Sequence, residues 1–141
     1  MIKCIKKMHF IILSYSGGFD SSLLAYIISK VIKKKLICIF IDNEMISIRN
    51  KISAKSFLKR YNINYKIINN DFLLIPSIKK NTKKRCFYCK LKMLQILYDF
   101  KKKMNYKYIL DGTNLSDINL NIKRPGMKAL DYFKKKYDNV F

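Results

Sequence analysis

The chain has 141 residues, half of them hydrophobic, and carries 30 Lys and Arg against nine Asp and Glu, a net charge of +21. This is the size of one ordinary domain with enough apolar residues for a core, so residues 1–141 are read as a single domain. No apolar run approaches a membrane span, and the one that follows Lys3, Lys6 and Lys7 is too short for a signal peptide, which excludes a spanning protein and leads to the expectation of a cytoplasmic one.

In chain order, Phe10–Tyr15 reads as a strand buried on both faces, and Ser21–Lys33 as a helix with Leu23, Leu24, Ile27, Ile28 and Val31 on one stripe. Leu36–Ile41 is a second apolar strand ending at Asp42. Ile48–Tyr61 reads as a helix with Ile52 and Phe57 inward, and Tyr65–Ile68 as a third strand. Asp71–Lys84 reads as an irregular surface loop. Arg85–Met104 follows as a helix with Leu91, Leu94, Leu97 and Tyr98 inside, then a strand Tyr108–Leu110 ending at Asp111, a polar loop over Gly112–Gly126, and a last helix Met127–Tyr137. Strands alternating with helices predict an α/β fold with a parallel sheet and right-handed crossovers. Ligands on such sheets bind beyond the carboxyl ends of the strands, where the glycine turn after the first strand, Asp42 and the Asp111 segment are all expected to meet in one crevice.

The composition tempers the meaning of the charge. The basic residues are 26 lysines and only four arginines, beside 22 isoleucines, 12 asparagines and three alanines, the bias of an A+T-rich genome. Lysine clusters at 33–35, 101–103 and 134–136 sit at predicted helix ends, where they suit the negative end of the dipole. A solvated surface is therefore preferred over a polyanion-binding one, and nucleic acid is the lesser reading of the charge.

The most informative segment is Ser14-Tyr15-Ser16-Gly17-Gly18-Phe19-Asp20-Ser21. A strand, a paired-glycine turn and a helix start make a phosphate cradle: the backbone turns with N–H groups inward, and the helix adds free N–H donors and the positive end of its dipole. Gly17 and Gly18 form the turn, Ser16 and Ser21 are expected to add hydroxyl donors, and Asp20 acts through a metal ion rather than on phosphate directly. The loop has neither the Gly-Lys-Ser/Thr ending of a Walker motif nor the Gly-x-Gly-x-x-Gly dinucleotide fingerprint. It resembles the pyrophosphate loop of the PP-loop ATP pyrophosphatases, which cleave ATP to AMP and pyrophosphate and adenylate a substrate oxygen.

Two further motifs carry chemistry. Cys86 and Cys89 form a Cys-x-x-Cys at a predicted helix start, flanked by Arg85 and Lys90. The pair is open to three readings: a redox dithiol, half of a zinc site, or two ligands of an iron–sulfur cluster. The helix start and its basic neighbours are expected to lower the thiol pKa values. Cys38 is expected in the core, and Cys4 and His9 say little. The second motif, Asp111-Gly112-Thr113-Asn114 with Asp117, suits phosphate or ribose hydroxyls, and Arg124-Pro125-Gly126 follows it.

Taken in order, Ser-Gly-Gly-Phe-Asp-Ser, Arg-Cys-Phe-Tyr-Cys-Lys, Asp-Gly-Thr-Asn…Asp and Arg-Pro-Gly-Met-Lys-Ala resemble the N-terminal ATP pyrophosphatase domain of the LarE family, over about Met8 to Lys136. These are ATP-dependent sulfur transferases of nickel-pincer nucleotide cofactor biosynthesis. The resemblance implies a Rossmann-like three-layer α/β/α sandwich of the adenine nucleotide alpha hydrolase kind. It implies ATP and Mg²⁺ as cofactors, adenylation of a pyridinium carboxylate mononucleotide, and displacement of AMP by sulfur. It implies nucleotide contacts from Ser14, Ser16, Gly17, Gly18, Phe19, Asp20, Ser21, Asp42, Gly112, Thr113, Asn114 and Asp117, substrate contacts from Arg85 and Arg124, and catalysis by Asp20, Cys86 and Cys89. A [4Fe–4S] cluster on Cys86 and Cys89 would need a third ligand from elsewhere. The family continues into a second region after the point corresponding to Phe141, so a homo-oligomer or a separately encoded C-terminal half is an expected partner. Rival readings are a tRNA-thiolating PP-loop enzyme, an amide-forming enzyme like NAD synthetase, and a nucleotide-binding partner subunit.

Overall fold

The computed structural model describes residues 5, 7, 8, 10–32, 35–113 and 124–137. Four parallel strands, β1 (Ile11–Ser14), β2 (Leu36–Asp42), β3 (Tyr65–Asn69) and β4 (Tyr108–Asp111), lie in the order β3-β2-β1-β4. The helices between and after them are α1 (Phe19–Ile32), α2 (Ile48–Arg60), the short α3 (Pro76–Lys79), α4 (Arg85–Lys103) and α5 (Pro125–Lys136).

Side-chain alternation along the strands builds two separate cores. Ile11, Leu13, Cys38 and Phe40 face α1 and α2, where Ala25, Ile28, Ala54 and Leu58 close the layer. Ile12, Ile37, Ile39, Ile41 and Ile109 face the other way, onto Leu94, Leu97 and Phe100 of α4 and Leu130 and Phe133 of α5. A sheet buried on both faces needs apolar residues at both parities, which explains the unbroken apolar runs of β1 and β2. The α/β sandwich expected from the sequence is the one observed.

Several local expectations change. Ile52 is 61% exposed, because the inward face of α2 is set by Ala54 and Leu58, one turn apart, and Ile52 falls on the other side of the cylinder. Leu23 of α1 is likewise exposed. The expected loop before α4 contains α3, which starts with Pro76 at its first position and buries Ile78. The helix ends behave as expected: Lys101, Lys102 and Lys103 occupy the last turn of α4, and Lys134, Lys135 and Lys136 that of α5.

The topology creates a switch point. From β1 the chain moves outward through β2 to β3, with α1 and α2 on one face, and then returns over the other face through α4 to place β4 on the far side of β1. The connections leaving β1 and arriving at β4 therefore part on opposite faces, and a crevice opens beyond the carboxyl ends of these two strands.

Candidate functional site

The crevice at the switch point holds about 260 Å³ and is lined by Ser14, Ser16, Gly18, Phe19, Asp20, Ser21, Lys90, Met93, Asp111, Gly112 and Thr113. Ser14 pairs with Asp111 in the β1–β4 register, so the glycine turn and the Asp111 segment are brought side by side by the sheet itself.

The turn is held by its own polar groups. Gly17 has φ of +79°, and a Cβ there would stand 2.7 Å from Ala54 Cβ, so this position combines left-handed backbone with close approach to α2. The Gly18 N–H donates to Ser16 Oγ at 3.3 Å, and Ser21 Oγ donates to the Gly18 carbonyl at 3.0 Å. Since the Ser21 proton is committed there, Ser16 is the donor in the 3.0 Å contact between the Ser16 and Ser21 hydroxyls. In this arrangement the hydroxyl protons of the two serines brace the loop. The donors left for a ligand are the N–H groups of Phe19, Asp20 and Ser21 in the first turn of α1, which have no intrahelical acceptor; the Ser22 N–H is the first to bond back, to Gly18 at 3.0 Å. Below the turn, buried Tyr15 shares a 3.0 Å hydrogen bond with Ser22 Oγ and donates to the Ala54 carbonyl at 3.4 Å, and its burial raises its pKa.

The opposite wall is charged. Lys90 Nζ donates to Asp111 Oδ2 at 2.5 Å, with the lysine side chain 22% and the aspartate side chain 7% exposed. Asp111 Oδ1 accepts from the Thr113 N–H at 3.1 Å and from the Thr113 hydroxyl. Burial alone would raise the Asp111 pKa. The Lys90 charge and hydrogen bond, with those from Thr113, outweigh it and hold the carboxyl below its ordinary value. Gly112 packs on the start of α1, where a Cβ would lie 3.4 Å from Ser21 backbone atoms. Lys90 is not among the residues that the sequence marks for the site. Its one signal is its place: it follows Cys89 and lies one turn before Met93 on the helix that returns over β4.

The other expected site residues lie elsewhere. Asp42 does not line this crevice. Its carboxylate pairs with Lys51 at 2.5 Å and borders a separate depression of about 390 Å³ with Asn43, Glu44, Asn69, Asn70 and Asp71, because β2 is displaced from the switch point by β1. Arg85 donates to Asn81 Oδ1 at 2.8 Å on the exposed surface, and Arg124 precedes α5; neither lines the crevice. Asn114 and Asp117 lie outside the described residues.

Cys86 and Cys89 are free thiols in the first turns of α4, Cys86 exposed and Cys89 half-buried against the core. The expected lowering fails at Cys89. Its burial, with a smaller push from Cys86, raises the pKa over the opposing charges of Lys90 and Arg85. Cys38 is in the core as expected, its pKa pushed up to about 12 by burial. Among the described residues no three His, Cys, Asp or Glu side chains gather as a metal site. The thiol pair by itself thus supplies two ligands of a cluster and no more. Among these residues too, no helix is long and apolar enough to cross a membrane.

The sequence matches the family described as NAD synthase over residues 3–118. An uncharacterised protein of Methanocaldococcus jannaschii is 40% identical over 123 residues, covering 87% of this chain and 45% of that protein. One of the subunits of a glutamine-hydrolysing GMP synthase from Thermoplasma acidophilum is 29% identical over 109 residues, covering 75% of this chain and 35% of that subunit. The chain thus spans less than half the length of these curated relatives. Among solved structures, the NH3-dependent NAD synthetase from Campylobacter jejuni superposes with a TM-score of 0.69 at 18% identity, over 88% of this chain and 59% of that one. The NMN synthetase of Francisella tularensis also gives 0.69, at 13% identity, over 98% and 69%. These likenesses agree with the fold described above.

Proposed function

From the premise that this chain belongs to the NAD synthase family, we propose that it is the ATP-cleaving domain of an adenylating enzyme. It binds ATP in the switch-point crevice, directs a carboxylate oxygen of a second substrate at the α-phosphorus, and releases pyrophosphate. One observation carries this reading: the braced glycine turn leads into the first turn of α1, whose N–H groups have no intrahelical acceptor, beside the same 260 Å³ crevice that Asp111 and Thr113 line at the end of β4.

The donor set fits a hard cation at one position. Asp20 is exposed, lines the crevice and stands on the first turn of α1, while Asp111 is engaged by Lys90 and Thr113. Asp20 would hold Mg²⁺, which when bound neutralises phosphate charge. The chain's own groups bind and orient: N–H donors on phosphate, Gly17 and Gly18 allowing close approach.

The nucleophile that displaces AMP is the finer question. The relatives named as NH3-dependent or glutamine-hydrolysing enzymes point to nitrogen. The two free thiols at the head of α4, a few residues before Lys90 in the crevice, favour sulfur. Sulfur transfer to a pyridinium carboxylate mononucleotide, as in nickel-pincer cofactor formation, is the second reading. It needs sulfide or a persulfide from outside the described residues.

The test of the main reading is isotope exchange between pyrophosphate and ATP, run with a panel of carboxylate nucleotides and Mg²⁺. Carboxylate-dependent exchange supports adenylation, and its absence with every carboxylate while ATP binding persists overturns it. Supplying ammonia or sulfide to the active pair then separates amide from thiocarboxylate by mass.

A further inference from the structure

Among the described residues that line the crevice, Lys90 is the single cation, beside the carboxylates of Asp20 and Asp111. A polyanion entering there meets N–H dipoles on one side and needs a full positive charge on the other. The Lys90 ammonium is fixed rather than waving in solvent: its stem passes Gly126 of α5, where a Cβ would lie 4.0 Å from Lys90 Cβ, and its head is clamped on Asp111. Asp111 is in turn fixed by the two donors of Thr113.

Two arrangements are open when phosphate arrives. Lys90 leaves Asp111 for the ligand, or it keeps Asp111 and offers its other donors. The first takes the counter-charge from a carboxylate that is only 7% exposed, which is strongly unfavourable. The second costs nothing of that kind, since an ammonium has three donors and Asp111 takes one. We propose that Lys90 is the residue that recognises the nucleotide's phosphate chain, using the donors left over from Asp111, and that Asp111 is the residue that positions it. This rests on the nucleotide reading above and adds to it the cation opposite the glycine turn. The phosphate is bridged between two elements, the head of α1 and the side of α4, while Thr113 ties β4 to the same network.

The experiment measures binding of pyrophosphate and, separately, of adenosine to the full chain by calorimetry, for the unaltered protein, Lys90→Gln, and the double variant Lys90→Gln/Asp111→Asn. The double variant is neutral at both positions and keeps an acceptor for Thr113, so it avoids the buried bare carboxylate that threatens the fold of the single one. Pyrophosphate affinity is expected to fall about tenfold or more in both variants, the worth of a hydrogen bond to a charged group, with adenosine affinity unchanged. If the double variant binds pyrophosphate as well as the unaltered chain, the loss in Lys90→Gln came only from repulsion by Asp111, and the proposal is overturned. Equal loss of adenosine binding would also overturn it, because that marks a structural defect. No pyrophosphate binding by the unaltered chain would instead sink the nucleotide reading, and this proposal with it.

Discussion

Gly17 rests against Ala54: a Cβ on residue 17 would stand 2.7 Å from Ala54 Cβ, nearer than two such carbons approach. The glycine turn is thereby seated on α2, and the shape of the turn depends on a helix that contributes no group to the crevice. Gly17→Ala is expected to lower stability by about 1–3 kcal/mol through both the positive φ and the collision. Adding Ala54→Gly should recover only the steric part, with its own helix cost of about 1 kcal/mol. Urea unfolding of the four proteins of this cycle checks it. A Gly17→Ala variant as stable as the parent would mean the turn does not hold this conformation.

Asp20 is exposed. Asp20→Asn should therefore leave the melting temperature within about 2 °C, since surface changes of this kind cost under about 0.5 kcal/mol. Mg²⁺-dependent release of pyrophosphate from ATP should disappear. Retained activity would remove Asp20 from the site.

The Asp111 carboxyl lies below its ordinary pKa of 3.8 in the folded chain, so it binds its proton less readily folded than unfolded. Its contribution is fully present above about pH 4, where the unfolded group is ionised, and is lost as pH falls through the lower folded value. Asp111→Asn should cost about 1–3 kcal/mol at neutral pH, and the gap to the parent should narrow below pH 4. Denaturant titrations between pH 3 and pH 7 measure this. A gap that stays constant over the range would show that the charge of Asp111 is not what matters.

The three described thiols should separate in a timed alkylation at pH 8 read by peptide mass mapping. Cys86 is exposed and reacts first. Cys89, half-buried and with its pKa raised, follows, and Cys38, at about 12 and fully buried, reacts only on unfolding. Early labelling of Cys38 would contradict the two-core packing.

Much of this molecule is legible in its sequence because the signals are local. An apolar run, two glycines and a helix start suffice to read β1, the turn and α1, and Asp111 follows from a strand end in the same way. Position in the sheet is not local. Asp42 ends a strand too, yet β2 sits one place away from the switch point and turns to Lys51. Lys90 closes the Arg-Cys-Phe-Tyr-Cys-Lys motif, yet only the return of α4 over the sheet puts it in the crevice. The thiols fail for a related reason: the pull of basic neighbours is written in the sequence, while the burial that overrides it at Cys89 comes from packing.

The pairing of Ser14 with Asp111 joins the first strand to the last, across nearly the whole described chain. A ribosome-bound chain that has not yet extended past β4 possesses the glycine turn but not the floor beneath it. Nucleotide affinity should therefore appear abruptly, once β4 has emerged, and chains arrested before residue 108 should be unable to hold ATP however well β1, β2 and β3 have paired. Closing so distant a contact is also the slow kind of step, so refolding followed by ligand binding should lag behind refolding followed by helix content.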